Sequence, residues 1–207
     1  MKPMGPIPAG FAGQKGALKI GGRSVADLID MAGGQTPLFV YDRALLSQGV
    51  ADLRAALPDG VAIHYAMKAN PFAPLLAHMN TLVDGFDIAS GGELALAQAA
   101  GVDPARISFA GPGKRDDELS AAIRAGVTLN IESEGEAARA LALAGTLGVT
   151  PRMAVRVNPS FDLKGSGMKM GGGAKQFGVD QDRVPDLVRH IIAAGAEWRG
   201  FHIFVGS

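Results

Sequence analysis

The chain has 207 residues, a formal net charge of 0 and 47% hydrophobic residues, which fits a globular domain rather than a disordered segment. Its balanced charge gives no general attraction to nucleic acid or to an anionic membrane, and the absence of cysteine excludes disulfides and thiolate metal sites. The first 13 residues lack the continuous apolar stretch of a signal peptide, and no segment resembles a bilayer span, so we expect a cytoplasmic protein.

The N-terminal part of the chain, residues 1–36, contains several glycines and prolines and is predicted as an extension. Residues 37–42 predict a short strand, and residues 43–57 predict a helix closed by a Pro-Asp-Gly turn. The main domain of this prediction therefore runs over residues 37–207.

From residue 61 onwards, apolar segments alternate with alanine-rich segments of helical period. The six predicted strands begin near Val61, Gly85, Arg106, Val127, Arg152 and Gly200. The helices between them are predicted over residues 93–100, 116–125, 134–147 and 184–194. Alternation of this kind indicates a parallel sheet covered by helices, either doubly wound or a (β/α)8 barrel.

The barrel is favoured, because Lys68 and Asn70 stand where a Rossmann sheet carries its G-x-G-x-x-G loop. Polar residues also follow the predicted strands, at the end of a TIM barrel where active sites lie: Asp87, Ser90, Arg156, Asn158, His202 and Ser207. Six strands cannot close an eight-stranded barrel. We therefore expect a partial α/β TIM barrel that forms the N-terminal portion of a longer protein.

Lys68 is the first candidate for chemistry, because it ends an apolar strand. Alternation places the large apolar residues of segment 61–68 on one face and leaves three residues on the other, His64, Ala66 and Lys68. Apolar walls around Lys68 would lower the pKa of its amine and let it attack a carbonyl to form a Schiff base. The alternative is a lysine that extends from the strand end into water.

Six segments in order carry a resemblance to a known family: residues 65–70 (YAMKAN), 85–93 (GFDIASGGE), 111–114 (GPGK), 155–159 (VRVNP), 176–179 (QFGV) and 200–207 (GFHIFVGS). Together they resemble the alanine-racemase-fold pyridoxal-phosphate decarboxylases, which include diaminopimelate, ornithine and biosynthetic arginine decarboxylases. Residues 170–175 and 200–207 further resemble the subgroup associated with exosortase A systems and exopolysaccharide production.

The resemblance implies pyridoxal 5'-phosphate as cofactor, an amino acid as substrate, decarboxylation as the reaction and a homodimer for the whole protein. It also implies a C-terminal β-domain that the N-terminal segment would join. Within this family pattern Lys68 forms the Schiff base, and Asp87 and Glu93 lie beside the cofactor. For Glu93 a second role stays open, because Ser90 and Glu93 also have the spacing of a helix capping box.

Arg156 lies between two valines and is expected inside the barrel, where a guanidinium must be paired. It either orders the barrel through a salt bridge or contacts the cofactor or substrate. By the resemblance, Ser207 binds the cofactor phosphate. Phe204 replaces a histidine that stacks on the cofactor ring in many relatives, and His202 lies two residues earlier on the same face. Phe204 can stack but cannot donate a hydrogen bond, and a plain core role also stays open.

Other candidates have simpler interpretations. Residues 111–115 lack a Walker A pattern and predict a tight turn before a helix that begins with three acidic residues. Residues 165–175 predict a mobile loop and a candidate lid over the site. His78 and His190 fall in helical stretches without the spacing of metal ligands, so no metal site is predicted.

Three other functions remain possible at this point. A barrel of this kind can carry pyridoxal phosphate without catalysis, or it can racemise amino acids. The 207-residue product can also be an inactive remnant of a longer enzyme, with exposed strand edges that favour association. The long motif set favours a decarboxylase over a racemase. Residues 37–42 and the leader before them resemble a segment that joins a β-domain, which carriers usually lack. The inactive remnant stays open and can be tested by cofactor titration and thermal unfolding.

Overall fold

A computed structural model of the chain describes residues 11, 18–161 and 176–204. The chain divides into two compact units, residues 1–61 and 62–207. The predicted boundary between an extension and a barrel domain, after residue 36, stays a prediction. None of the helices in the described ranges is long and apolar enough to cross a membrane.

The described part of the first unit contains β1 (Lys19–Ile20), β2 (Arg23–Ser24), α1 (Val25–Met31) and α2 (Arg43–Ala56). β1 and β2 form an antiparallel pair that the sequence analysis did not predict. Helix α1 begins with a capping box, in which the Ser24 hydroxyl accepts the Asp27 N–H at 3.1 Å and Asp27 accepts the Ser24 N–H.

Helix α2 confirms the helix predicted over residues 43–57, whereas the strand predicted over residues 37–42 is wrong. Pro37 has no N–H to donate to a strand ladder. Asp42 instead caps α2, and its carboxylate accepts the Ala44 N–H at 2.8 Å. The apolar run therefore leads into the helix and does not form a strand.

The second unit contains a parallel sheet and its covering helices. Its strands are β3 (His64–Ala66), β4 (Gly85–Ile88), β5 (Ile107–Phe109), β6 (Thr128–Ile131), β7 (Arg152–Asn158), β8 (Val179–Asp180) and β9 (Glu197–Ile203). Its α-helices are α3 (Ala73–Met79), α4 (Gly91–Ala99), α5 (Asp116–Ala125), α6 (Glu134–Leu147) and α7 (Val184–Ala193). Short 3-10 helices cover Met67–Ala69 and Pro104–Arg106.

The strands follow the order β3-β4-β5-β6-β7-β8, and β9 also pairs with β7. All of these pairs are parallel, and helices connect β3 to β4, β4 to β5, β5 to β6, β6 to β7 and β8 to β9, which confirms the predicted partial TIM barrel. Six of the strands correspond to the predicted ones, and the two-residue β8 was not predicted. The bounds of α5 and α6 match the sequence prediction.

The core lies between the sheet and its helices. Alternation along the strands sends one set of side chains towards the helices, and these are almost fully buried: Phe86, Ile88, Ile107, Phe109, Leu129, Ile131 and Met153. Helices α5 and α6 end at glycines in the left-handed conformation, Gly126 and Gly148. We call the opposite side of the sheet the inner face, and it carries the polar residues.

The amino-terminal end of the inner face is held by Arg152, the first residue of β7. Its Nη1 donates to the carbonyl oxygens of Gly126 at 2.8 Å and Ala105 at 3.1 Å, just before β6 and β5. Its Nε donates to Glu197 at 3.4 Å, at the start of β9. One side chain therefore fixes the starts of four strands.

Candidate active site

A row of polar side chains crosses the inner face from β3 to β6. Asn130 Nδ2 donates to Ser108 Oγ at 2.9 Å, and this hydroxyl donates to Asp87 Oδ1 at 2.6 Å. The Nδ1 atom of His64 lies 3.7 Å from the same carboxylate oxygen. Four neighbouring strands thus contribute one side chain each to a connected polar row that has Asp87 near its β3 end.

Asp87 is held in its ionised form by these neighbours. Burial opposes its charge, but the contacts from His64 and Ser108 outweigh burial, so the pKa of Asp87 is lower than usual. An acidic group between two apolar residues of a strand is expected to have a partner. Ser108 and His64 are those partners.

Glu132 forms the centre of a second group at the carboxyl end of β6. Its carboxylate accepts the Gly111 N–H at 2.5 Å and the Gly178 N–H at 3.1 Å. Arg156 Nη1 donates to both of its oxygens, at 2.9 and 3.1 Å. The side chains of Glu132 and Arg156 are only 1% and 9% exposed. The salt bridge that the sequence analysis held open for Arg156 is therefore present.

A buried lysine lies next to this group. Lys114 Nζ donates at 2.8 Å to three acceptors, the carbonyl oxygens of Gly111 and Asn130 and the Glu136 carboxylate. Burial lowers the pKa of Lys114 and raises the pKa of Glu136, although their mutual attraction opposes both shifts. The predicted turn and acidic helix start are confirmed, since α5 begins at Asp116. The burial of Lys114 was missed.

Lys68 lies at the open end of β3, and the prediction that apolar walls bury it is wrong. The strand ends at Ala66 and not at Lys68, because the Asn70 N–H bonds to the Met67 carbonyl at 3.1 Å and closes a 3-10 turn. Ile63 and Met67 are buried as the alternation predicts, while Lys68 is exposed. Among the described strands β3 pairs only with β4, so one side of the lysine has no strand beside it.

His202 and Phe204 belong to β9 and the residue after it. His202 is paired in register with Arg156 on β7, and its Nδ1 is buried without a hydrogen-bond partner among the residues that the structure describes. Burial, followed by the positive charge of Arg156, lowers the pKa of His202. Phe204 is 37% exposed. Ser207 and the predicted lid over residues 165–175 lie outside the described residues.

Glu93 has a capping role at the start of α4. Its N–H donates to the Ser90 hydroxyl at 3.2 Å, and its carboxylate accepts the Ala89 N–H at 2.8 Å. The Ser90 cap of the predicted capping box is therefore present, but the Glu93 carboxylate accepts the Ala89 N–H and not the Ser90 N–H that completes such a box. A contact of Glu93 with a cofactor stays a prediction. His78 and His190 lie in α3 and α7, and no cluster of three metal-ligating side chains is found in the described ranges.

Residues 43–207 of the sequence match a protein family described as "Pyridoxal-dependent decarboxylase, pyridoxal binding domain". The chain belongs to this decarboxylase family. Its matched domain is the one named for pyridoxal binding, and it contains the whole polar inner face. This agrees with the family resemblance carried by the sequence motifs.

Individual relatives agree with the family match. The chain is 41% identical over 167 residues to a diaminopimelate decarboxylase of Aquifex aeolicus, covering 80% of this chain and 39% of that protein. It is 33% identical over 177 residues to L-glutamyl-[BtrI acyl-carrier protein] decarboxylase of Niallia circulans, covering 84% and 41%. Diaminopimelate decarboxylase from Helicobacter pylori, complexed with L-lysine, has a TM-score of 0.78 at 27% identity, covering 87% and 47%. The chain thus spans less than half the length of these relatives.

Several residues of this decarboxylase-family site were missed from the sequence. Glu132 directly follows the apolar strand β6, whereas Asp87 and Arg156 each lie between two apolar residues of a strand. The adjacent Ser133 caps helix α6, so the Glu132 segment reads as the start of a helix. Lys114 and Glu136 are 22 residues apart, and their pairing depends on how β5 and β6 align. Such partners become visible only when the sheet order is known.

Proposed function

We propose that the protein that contains this chain is a pyridoxal 5'-phosphate-dependent amino-acid decarboxylase in which the Lys68 amine holds the cofactor as a Schiff base. One observation carries the proposal beyond the family match. The inner face carries Asp87 on β4, the buried ion pair of Glu132 and Arg156, and His202 on β9, which is paired in register with Arg156. An anionic, aromatic cofactor needs such a mixture of cationic, acidic and neutral hydrogen-bonding groups.

The residues of the inner face fit this cofactor. His202 offers a buried ring nitrogen that has no partner in the described part of the chain, and a polar ligand would satisfy it. Arg156 supplies a positive charge beside it, and Phe204 supplies an aromatic face. Lys68 is exposed, so its amine can be reached by an aldehyde. Ser207 remains a candidate for the phosphate on sequence grounds alone.

The residues have separable tasks in the proposed reaction. When bound, the cofactor accepts the electrons that are released as the substrate carboxylate leaves as CO2. Lys68 supplies the attachment point for the cofactor. Asp87 stays ionised because Ser108 and His64 stabilise its carboxylate, and it can therefore hold a cationic group of the lysine or cofactor nearby. Glu93 orders the start of α4, and a direct contact remains part of the proposal.

Attachment of the cofactor to Lys68 is the sharpest test. Wild-type protein with pyridoxal 5'-phosphate should show visible cofactor absorbance, and borohydride reduction should leave a label on the peptide that contains Lys68. Lys68→Ala should lose both signals. Lys19→Ala is the matched control, since Lys19 is also exposed, and it should keep both. Retention of the absorbance by Lys68→Ala, or a label on another lysine, would contradict the proposal.

The substrate belongs to the same proposal. We infer an amino acid like diaminopimelate, ornithine or arginine, supported by the names of the diaminopimelate decarboxylase relatives and by the L-lysine bound in the Helicobacter pylori structure. Release of CO2 from a panel of these amino acids would identify it. A panel that includes alanine racemisation separates decarboxylase from racemase activity.

A non-catalytic cofactor-binding barrel is the second candidate. Phe204 favours it, because phenylalanine cannot transfer a proton or donate a hydrogen bond at a position next to the proposed cofactor. It predicts the Lys68 label without CO2 release from any amino acid in the panel. An inactive remnant predicts neither signal.

The subgroup, the oligomeric state and the cellular location of the protein are further parts of this proposal. Membership of the exosortase A-associated subgroup, and a link to exopolysaccharide production, are supported by the sequences of residues 170–175 and 200–207. A homodimer and a cytoplasmic location are proposed from the family resemblance and the composition. Sedimentation of the purified protein and fractionation of cells would test these two assignments.

A further inference from the structure

We propose that Glu132 is a positioning residue that fixes the Arg156 guanidinium for cofactor binding, an inference that rests on the proposed function. Glu132 was not among the site residues predicted from the sequence. It acts through Arg156 and not by direct contact with the cofactor. Three observations carry the inference, namely the contacts of its carboxylate, the packing around Arg156 and the backbone at Gly178.

Glu132 joins three separate segments at the carboxyl end of the sheet. Its carboxylate is 1% exposed and accepts hydrogen bonds from the N–H groups of Gly111 and Gly178 as well as from Arg156. Gly111 follows β5, Arg156 lies on β7 and Gly178 directly precedes β8. Two backbone donors thus hold the carboxylate independently of Arg156, one on each of its oxygens, which restricts the position that it offers to the guanidinium.

Arg156 is restrained from a second side. Its guanidinium lies 4.7 Å from the centre of the Phe177 ring, an arrangement that is favourable for a cation over an aromatic face. Glu132 and Phe177 therefore act on the same planar group from different directions. Arg156 is in turn paired in register with His202, the residue with the buried open ring nitrogen. The orientation of Arg156 thus determines the charge beside His202.

Gly178 makes this arrangement possible. Its φ is +74°, which side chains rarely adopt, and a Cβ atom there would lie 3.0 Å from the Arg156 carbonyl oxygen and 3.1 Å from the Asn158 nitrogen. Only glycine brings this N–H so close to β7. The close approach delivers the second backbone donor to Glu132 from the same segment that carries Phe177.

Glu118 provides a matched comparison on the same rim. Its carboxylate also accepts two backbone N–H groups, from Gly91 at 2.7 Å and Arg115 at 3.0 Å, and it also joins two loops. Its side chain is 13% exposed, and Arg115 beside it is 71% exposed. Glu118 thus resembles Glu132 in its role between loops, but no described contact joins it to Arg156.

A double-mutant cycle on the full-length protein tests the inference. The dissociation constant of pyridoxal 5'-phosphate is measured by absorbance titration of apo-protein for Glu132→Gln, Arg156→Met and the double variant. We expect Glu132→Gln to weaken binding about tenfold, and the double variant to bind no more weakly than Arg156→Met alone, because both changes remove one interaction. Glu132→Asp keeps the charge and should restore part of the affinity.

Glu118→Gln is the control for a purely structural effect. It should lower the melting temperature, yet combine additively with Arg156→Met in cofactor affinity. Wild-type affinity in Glu132→Gln, or additivity of Glu132→Gln with Arg156→Met, would overturn the inference while the Lys68 label leaves the proposed function standing. If Glu132→Gln does not fold, Glu132→Asp serves in the same cycle. Absence of any label on Lys68 would overturn both.

Discussion

Lys114 and Lys68 each lie in a turn after a strand of the same sheet, and their surroundings are opposite. The Lys114 side chain is 1% exposed and donates to three oxygen acceptors, whereas Lys68 is exposed. The sequence suggested the reverse, because Lys68 follows an apolar strand and Lys114 lies in a glycine-rich turn. A lysine is thus buried where oxygen acceptors surround it, and apolar residues before it in sequence do not suffice.

The largest loss of stability is expected from Lys114→Met, which removes the buried ion pair between Lys114 and Glu136. The substitution leaves the Glu136 carboxylate buried without its cation, and Glu136 Oε2 already has no partner among the described residues. Breaking a buried ion pair in this way destabilises a protein by about 3–5 kcal/mol. Chemical denaturation of the wild type and the variant measures this difference.

A double variant separates loss of the pair from loss of packing. Lys114→Met combined with Glu136→Leu removes both buried charges and keeps apolar volume, so it should recover most of the lost stability. Equal destabilisation in the single and double variants would indicate that Lys114 matters through its two carbonyl contacts instead.

A smaller, pH-dependent effect is expected at Asp87, which lies on β4 between the two lysine regions. Because its pKa is lowered in the folded protein, ionised Asp87 stabilises the fold above the ordinary value of 3.8, and this contribution is lost as the pH falls through the folded pKa. Asp87→Asn should therefore cost about 1 kcal/mol at neutral pH, a small value because the carboxylate is 44% exposed.

The pH profile identifies the cause of this effect. The difference between wild type and Asp87→Asn should shrink as the pH falls below 3.8. Ser108→Ala removes a hydrogen bond that lowers the pKa of Asp87, so the carboxylate should contribute less stability at neutral pH, and the loss of that contribution should be complete at a higher pH. A constant difference across the whole range would exclude ionisation of Asp87 as the source.

The smallest effect on stability is expected for Lys68→Ala. An exposed lysine outside any described ion pair contributes within about 0.5 kcal/mol, so denaturation of the apo-protein should be almost unchanged. The two lysine variants should therefore differ by several kcal/mol in their free energy of unfolding, with Lys114→Met the less stable. The almost unchanged stability also means that loss of the cofactor signal in Lys68→Ala reports the site and not the fold. A loss of several kcal/mol would show that Lys68 is buried in solution.

The regular parts of the barrel were predictable because they depend on neighbours in sequence. Helices α5 and α6 have strong local signals, an acidic start for α5, a Ser133 cap for α6 and a glycine after each, and their bounds were predicted correctly. The strand over residues 37–42 was not, because apolar character alone does not provide a pairing partner. The hairpin at Lys19–Ser24 was too short to give a periodic signal.

Site residues were predictable from the sequence only where a single polar residue stands out within an apolar strand. Asp87, Arg156 and His202 were expected on the inner face because each interrupts an apolar strand, and the structure places them there. Their partners depend on contacts between segments far apart in sequence. Glu132 reaches Gly178 across 46 residues, and Ser108 reaches Asp87 across 21. Strand register decides such contacts, and no single stretch of sequence contains it.

Strand β7 carries two arginines on its inner face, Arg152 at its start and Arg156 towards its carboxyl end, and the two are anchored by different kinds of group. Arg152 is bound mainly by backbone carbonyls, which every amino acid possesses, whereas Arg156 depends on the Glu132 side chain. Mutations can therefore remodel the Arg156 end while the Arg152 end keeps its anchors. The carboxyl end of β7 is therefore a place where protein engineers can alter specificity while the backbone contacts of Arg152 keep the strand anchored.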